Sequence, residues 1–252
     1  MAIMLPSVQQ KNLILLAMLA FSSQVFSDAI EAEQPLQEVF QSELVYPQEQ
    51  GELQFTFSPE YADGDEHQQW SFPVVIEYGL TDALQVELEW TALVYHDEEG
   101  EDTTTGVGDL SIGAMYSWMN IGGQPMHAAV ALELGIPTGN EDQELGEGHF
   151  TVEPFVILAW DLPFRSDTQV FLNAGVELSD SEEEVFTNLG FFTPIGDAIF
   201  TTEWNWSEEE RYLTPGLVWQ PHEGWELGLG VPLGLNSEAD DFRFIFKLSY
   251  ER

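Results

Sequence analysis

From Gly51 to the end of the chain, apolar and polar residues alternate with a period of two. The clearest stretch runs from Leu84 to Val94, where Leu, Val, Trp and Ala alternate with Gln, Glu and Thr over most of its length. Because successive side chains of a strand point to opposite faces, this period predicts β-strands with one apolar and one polar face. The segments 109–119 and 242–250 repeat the pattern.

Twelve segments have this character, and most of them are close to the ~9–11 residues that a tilted strand needs to cross a bilayer. An even number of strands is typical of bacterial single-chain barrels. We therefore expect an all-β fold over residues 51–252, a transmembrane, antiparallel, up-and-down β-barrel of about twelve strands. The predicted strands are 51–61, 68–78, 84–95, 109–119, 126–137, 149–161, 168–178, 185–192, 198–206, 211–219, 225–235 and 242–250.

The connections between these strands fall into two alternating classes. The odd-numbered connections are rich in Asp and Glu, as in the runs at 97–99 and 182–184. The even-numbered connections are short, rich in Gly and Pro, and carry few acidic residues. Alternate loops of a barrel lie on opposite sides of the membrane. Since an exported chain starts in the periplasm, we expect the acidic loops to face the outside of a Gram-negative cell.

Aromatic residues lie near the ends of the predicted strands, on their apolar face. Membrane barrels place such residues in girdles at the two interfaces. A soluble sandwich with buried Trp, or a lipocalin-like barrel with apolar residues inside, is the alternative that shares the alternation. The girdle positions are Trp70, Trp118, Trp160, Trp204, Trp206, Trp225 and Tyr250.

The first 27 residues have the features of a signal peptide. Lys11 precedes an apolar run from Leu13 to Ala20, and small or compact side chains lead up to Ser27. The run is shorter than the ~20 residues that a spanning helix needs, so we favour cleavage after Ser27 over a retained anchor. Residues 28–50 are acidic and Gln-rich, and a weak helical pattern predicts a short periplasmic helix or a plug.

Composition and charge narrow the range of possible functions. The chain carries 6 Lys and Arg against 45 Asp and Glu, a formal net charge of −39, so phosphates would be repelled and nucleic acid is excluded as a partner. It has no cysteine and therefore no disulfide or thiolate metal site. The histidines show no metal-ligand spacing, and no G-x-S-x-G motif occurs. We predict no catalytic residue, no cofactor and no dedicated metal site.

If the apolar face meets lipid, the alternate residues line the lumen. Small residues on this face leave space, and acidic residues dominate its charge. We predict a narrow path for small cationic or amphipathic, including aromatic, solutes. A solvated lumen with salt bridges from Arg243 and Lys247, and no selected substrate, is the alternative. Apolar residues predicted on the same face are Phe155, Ile157, Phe171, Phe186, Phe192, Ile199, Leu213, Leu217 and Trp219. The predicted lining of the path is Glu77, Glu87, Glu89, Asp109, Glu133, Glu153, Glu177, Glu203, Glu226, Arg243 and Lys247.

The acidic loops and the barrel together suggest the partners. The stretches 97–102 and 141–147 are dense enough in carboxylates to hold divalent cations loosely, although a solvated acidic face is the simpler interpretation. We also expect outer-membrane lipid, lipopolysaccharide, a small-molecule solute and the barrel-assembly machinery as partners. The leading function is a channel or transporter. A non-transporting structural or surface-interaction barrel with cation-binding loops is the alternative.

Several stretches resemble outer-membrane proteins of the meta-pathway phenol-degradation family. G-V-G-D-L-S-I-G-A-M-Y at 106–116 is similar to the family's G-x-G-D-x-x-x-G-x-x-Y strand. E-Y-G-L-T-D at 77–82, G-I-P-T-G at 135–139, T-P-G-L-V-W at 214–219 and the closing strand at 242–250 follow in the family's order.

This resemblance covers about residues 45–252. It implies an outer-membrane barrel that imports hydrophobic compounds, and it supplies no catalytic residues. The chain departs from the family in its acidity and in ending Tyr250-Glu251-Arg252 instead of with an aromatic residue. The acidity speaks against a purely hydrophobic substrate, whereas Tyr250 still provides an aromatic end for the last strand.

Overall fold

The computed structural model describes residues 34–252 apart from 65–66, 99, 101, 164–166 and 180–182. The predicted signal peptide, residues 28–33 and Glu182 lie outside the described residues. Within the described ranges the only helices are two 3-10 turns, Ile121–Gly123 and Glu141–Gln143. Neither is long and apolar enough to cross a membrane.

Fifteen β-segments make up one antiparallel sheet. Three of the strands are interrupted. β1 and β2 share the neighbours β3 and β15, β13 and β14 share β12 and β15, and β5 and β6 both pair with β4, so that the described residues form twelve strands. The segments are β1 (Leu53–Phe57), β2 (Glu60–Asp63), β3 (His67–Thr81), β4 (Leu84–Glu98), β5 (Thr104–Gly106), β6 (Leu110–Trp118), β7 (Met126–Ile136), β8 (Thr151–Asp161), β9 (Gln169–Leu178), β10 (Glu183–Ile195), β11 (Ala198–Trp206), β12 (Arg211–His222), β13 (Trp225–Gly230), β14 (Leu233–Gly234) and β15 (Phe242–Glu251).

The sheet closes on itself through its first strand. β1 and β2 pair with β3 on one side and with β15 on the other. Every strand in the described part of the chain therefore has two neighbours, and the backbone groups are satisfied between strands, as a barrel in a bilayer requires. The predicted fold class and the strand number are confirmed.

The outer face of the barrel is apolar and the inner face is polar. Leu88, Trp160 and Trp204 are 40%, 53% and 52% exposed, whereas Gln54 and Glu203 are fully buried. This distribution is the inverse of that of a soluble protein, and a band of exposed apolar residues of this size needs lipid to cover it. The predicted girdle residues on this outer face are Trp70, Trp160, Trp204, Trp206, Trp225 and Tyr250, with Trp118 half-buried.

A bulge in β4 corrects one prediction. The alternation predicts Val94 on the lipid face, but the register between β3 and β4 shifts by one residue near Pro73. A bulge adds an unpaired residue and reverses the faces beyond it. Val94 is consequently buried, at 4% exposure, while Leu93 and Tyr95 point outward.

β12 corrects a second prediction. Leu213, Leu217 and Trp219 are predicted inside but are 42%, 50% and 48% exposed on the outer face. Tyr212 and Val218 point inward instead. Both alternating sets of this strand contain apolar residues, so the period alone does not tell which set meets lipid.

Residues 34–50, here called the inner segment, pack against the inner face of the barrel. The segment is irregular and contains no helix, so the predicted short helix is wrong for this part of 28–50. Its backbone hydrogen-bonds to side chains of the barrel, as described below, instead of forming helical turns. Its buried apolar residues are Leu36, Val39, Phe40, Leu44, Val45 and Tyr46, and they share one core with Met115, Ala129, Phe155, Ile157, Phe171, Phe192, Ile199 and Val218 of the barrel wall.

Candidate functional site

Two buried glutamates of the wall hold the backbone of the inner segment. The N–H groups of Phe40 and Gln41 donate to the two carboxylate oxygens of Glu203, each at 2.9 Å. The N–H of Gln37 donates to Glu226 at 2.9 Å. Hydrogen bonds to a charged acceptor are roughly twice as strong as neutral ones. Both glutamates belong to the predicted lining, and they bind this chain's own backbone.

Side-chain amides of the wall satisfy further backbone groups of the segment. Asn173 accepts the N–H of Glu43 at 2.8 Å and donates to its carbonyl oxygen at 3.0 Å. Gln85 accepts the N–H of Gln48 at 2.9 Å. These amides therefore replace the partner strand that an extended segment would need. The sequence reasoning missed both residues because they carry no charge and their spacing gives no signal.

The ring of Phe40 occupies a socket formed by three glycines, Gly216, Gly228 and Gly230. A Cβ placed on Gly216 or Gly230 would overlap the ring, and one on Gly228 would lie 3.1 Å from its Cε1. The sequence predicts that Gly228 and Gly230 leave space in the lumen. Here that space is filled by an aromatic side chain of the same chain.

A network at the end of the barrel with the short turns fixes the far end of the segment. Gln169 Nε2 donates to the Tyr46 hydroxyl and to Asp161 Oδ1, both at 2.6 Å. Asp161 Oδ2 in turn lies 2.9 Å from Nε2 of the fully buried His127. His127 Nδ1 accepts the N–H of Asn120, which ties the network to the turn between β6 and β7.

Charged side chains cluster around Lys247. Its Nζ lies 2.6 Å from Glu38 Oε2 of the inner segment. Gln54 and Gln85 both donate to Glu77 nearby. A cavity of about 50 Å³ remains between the segment and the wall. The charged side chains that line it are Glu38, Glu43, Glu77, Glu87, Glu89 and Lys247.

Like charges face each other across neighbouring strands of the wall. Glu77 is the register partner of Glu87, and Glu133 is that of Glu153. Like charges directly opposite in a sheet destabilise it. Glu133 also lines a second cavity of about 20 Å³ next to Glu87. Acidic side chains of neighbouring strands are therefore concentrated around two narrow cavities.

Arg243 organises the end of the barrel that carries the acidic loops. Its Nε donates to Asp240 at 2.6 Å, and its two terminal nitrogens lie 3.2 Å from Glu210 and 3.7 Å from Glu60. Burial raises the pKa of Glu210, and Arg243 acts in the opposite direction. These residues border a polar cavity of about 230 Å³ together with His67.

The remaining predicted residues lie apart from the cavities around Lys247. The Asp109 carboxylate, predicted to line the path, accepts the N–H groups of Gly139 and Glu147, each at 2.7 Å, and so binds loop backbone. Glu177 is the register partner of Glu184 near the end of its strand.

The structure thus divides the predicted lining into three groups. Glu77, Glu87, Glu89, Glu133, Glu153 and Lys247 lie on the inner wall around the small cavities or next to them, Glu203 and Glu226 bind the inner segment, and Asp109, Glu177 and Arg243 lie toward the acidic loops.

The chain matches a known sequence family and several solved structures. The profile of a family described as Putative MetA-pathway of phenol degradation matches residues 48–184, just over half of the chain. A comparison with curated protein sequences gives no significant match.

Among solved structures, an outer membrane channel from Pseudomonas putida F1 superposes with a TM-score of 0.65 at 15% identity, covering 82% of this chain and 98% of the channel. The KdgM porin superposes with a TM-score of 0.55 at 11% identity, covering 78% and 98%. At these identities the likeness shows a shared barrel fold. The solved relatives named here are channels and porins rather than enzymes.

Proposed function

Because the chain belongs to the family described as Putative MetA-pathway of phenol degradation, we propose that this outer-membrane barrel is a channel for small cationic solutes, aromatic ones included. The observation that carries this proposal is the cluster of carboxylates around Lys247, to which both the wall and the inner segment contribute. Acidic side chains that line a passage with low-dielectric walls raise the local concentration of cations and exclude anions.

The inner wall also offers apolar surface to such a solute. Phe155 lines the second cavity together with Glu87 and Glu133, and Phe171 and Phe192 share the core of the inner segment on the same inward face. A solute with a positive group and an aromatic body would contact glutamate with one end and these rings with the other. This combination supports amphipathic cations over purely hydrophobic compounds.

Conduction through this path requires the inner segment to move. The cavities that it leaves are about 50 Å³ and 20 Å³, whereas pockets that hold drug-sized ligands are ~300–1,000 Å³. We infer that the segment is the gate of the channel and that its bonds to Glu203, Glu226 and Lys247 set how often the channel opens.

Planar-bilayer recording across a salt gradient tests the proposal. We expect a reversal potential of the sign for cation selectivity, and a smaller one for the double variant Glu87→Gln/Glu89→Gln. Glu223→Gln removes one charge from an exposed short turn and serves as the control that leaves selectivity unchanged. Anion selectivity, or equal selectivity in all three proteins, would contradict a path along these glutamates.

The alternative is a non-transporting barrel with a structural or surface role, and the filled interior favours it. Swelling of liposomes that contain the purified protein separates the two functions. Uptake of small cationic solutes by the full-length protein, increased after removal of residues 28–48, supports the channel. Lack of uptake by both proteins supports the structural role.

A further inference from the structure

Two acidic loops meet at a histidine. His96 and Glu98 end β4, and Glu144 belongs to the loop between β7 and β8. Potential ligand atoms of these three residues all lie within 4.8 Å of one another, and His96 Nε2 is 2.6 Å from Glu144 Oε2. A hydrogen bond from Thr104 Oγ1 to the carbonyl oxygen of Gln143, at 2.9 Å, holds the second loop against the first.

The two nitrogens of His96 have different surroundings. The side chain is only 9% exposed, and its Nδ1 lies 3.2 Å from Gln69 Oε1, an oxygen that can only accept. An Nδ1–H that donates to Gln69 leaves the lone pair of a neutral ring on Nε2. Nε2 is buried and has no partner with hydrogen-bond geometry, although Glu144 Oε2 lies 2.6 Å from it. A lone pair and a carboxylate this close repel each other unless a proton or a metal cation lies between them.

We propose that His96, Glu98 and Glu144 bind a divalent transition-metal ion of the Zn²⁺ type, which joins the two acidic loops. One imidazole nitrogen and two carboxylate oxygens are N/O donors that Zn²⁺ accepts at ~2.0–2.2 Å, with water completing the coordination. An imidazole ligand favours such ions over Ca²⁺ and Mg²⁺, which prefer oxygen alone.

The geometry allows this ligand set to close around an ion. The Glu144 side chain is 60% exposed, so it can move outward and make room next to the fixed His96 ring. Metal-binding histidines usually donate their other ring N–H to a hydrogen-bond acceptor, which orients the ring and fixes its tautomer. Gln69 provides this acceptor for His96. The site is separate from the proposed path, because it lies where the end of β4 meets the loop between β7 and β8 and uses none of the residues around Lys247.

Zinc binding by the purified, untagged barrel in detergent tests the proposal. Isothermal titration is expected to give one Zn²⁺ per chain, with affinity at least tenfold lower in His96→Ala and in Glu144→Gln. Gln69→Leu, which keeps all three ligands, is expected to weaken binding by about 10- to 100-fold. His149→Ala is the matched control, because His149 also lies beside a loop glutamate, with its Nε2 3.9 Å from Glu147, but outside the cluster.

Heat-modifiable migration on gels checks that every variant is folded. Unchanged Zn²⁺ affinity in folded His96→Ala and Glu144→Gln would overturn the proposal. Equal competition by Ca²⁺ would do the same, since it would indicate a loose association with the acidic loops. A visible absorption spectrum of bound Co²⁺ that changes in His96→Ala but not in His149→Ala would support nitrogen ligation by His96.

Discussion

The buried carboxylates of this barrel differ in the donors that they face. Glu203 accepts two backbone N–H groups, whereas Glu77 accepts two side-chain amides and lies opposite Glu87. Glu38 is paired with Lys247. Glutamates therefore have three roles here: Glu203 binds the inner segment, Glu77 lines the cavity and Glu38 neutralises Lys247. The difference arises from the groups that each carboxylate faces.

Glu203→Gln is expected to loosen the inner segment. A glutamine offers one oxygen and must turn an N–H group toward a second N–H donor, and losing charged hydrogen bonds of this kind costs about 1.5–3 kcal/mol. Single-channel recording should show a higher open probability. Glu153→Gln removes a charge from the same wall and is expected to leave the open probability near that of the parent. Equal behaviour of the two variants would contradict the anchoring role of Glu203.

Lys247→Met is expected to destabilise the barrel and to increase cation selectivity. It removes the charged partner of the partly buried Glu38, although the hydrogen bonds from Gln54 and Thr56 remain, at a cost of about 1.5–3 kcal/mol. The midpoint of denaturant unfolding in detergent micelles should fall. Adding Glu38→Gln should recover much of the loss, and a double variant no more stable than Lys247→Met alone would show that the pair is not the cause.

The charged part of the site could be read from sequence, but its pairing could not. The alternation of apolar and polar residues predicts that Glu77, Glu87, Glu89 and Lys247 lie on the inner face. The structure brings these four side chains to one cavity. The ion-pair partner of Lys247, Glu38, lies outside the alternating strands, in the inner segment. His96 lies near the end of β4 and Glu144 in the loop between β7 and β8, so that no local spacing relates these two residues either.

Among the elements, the inner segment depends on the wall for nearly all of its order. It has no regular structure of its own, and its position follows from Phe40 in the glycine socket and from backbone bonds to side chains. A segment held in this way can leave as a unit once its few anchors are weakened.

Gly230→Ala is expected to displace Phe40 from its socket. The three atoms nearest to a Cβ at this position all belong to Phe40, and overpacking of this kind costs about 1–3 kcal/mol. Conductance recordings should show longer openings. Gly113→Ala is the control, because a Cβ there meets its nearest atom, Glu87 Cβ, at an ordinary 3.4 Å. Shorter openings, or equal effects of both changes, would argue against the socket.

The strands themselves were predictable, with errors where two physical signals compete. Alternation identified all twelve strands, because one face of each must meet hydrocarbon. The alternation failed at Val94, where a bulge exchanges the inward and outward faces of the strand. It also failed along β12, where both faces carry apolar residues. The weak helical pattern failed for residues 34–50, because a segment that bonds to side chains of a surrounding wall needs no regular period.

At the scale of the whole molecule, a formal net charge of −39 acts against the compact state. The predicted fold class, family and outer-membrane location are confirmed by the closed sheet, the family profile and the similar channel and porin structures, whereas the solute depends on the interior of the barrel and remains a proposal. The acidic loops contribute much of the repulsion, and their charge depends on pH and salt.

Mild acidification is expected to stabilise the barrel. Burial raises the pKa of Glu147 and of Glu210, against the opposing effects of His149 and Arg243. The folded state therefore holds these protons more tightly than the unfolded state. Their contribution to stability is complete below the unfolded pKa of about 4.3 and is lost as pH rises through the folded pKa.

Denaturant midpoints measured between mildly acidic and mildly alkaline pH check this prediction. The midpoint should rise toward acid, and the slope should become shallower in Glu147→Gln/Glu210→Gln. Added salt should raise the alkaline midpoint by screening the repulsion. A midpoint that rises toward alkali would show that other groups dominate.

The anchors of the inner segment have a consequence for biogenesis. Gln37, Phe40 and Glu43 bond to residues 189, 163 and 130 positions further along the chain, on three different strands. All three bonding partners are present only after β13 has been synthesised and inserted. The segment must therefore dock late in maturation. A newly inserted cylinder would then pass through an unobstructed stage before its own amino-terminal stretch closes it.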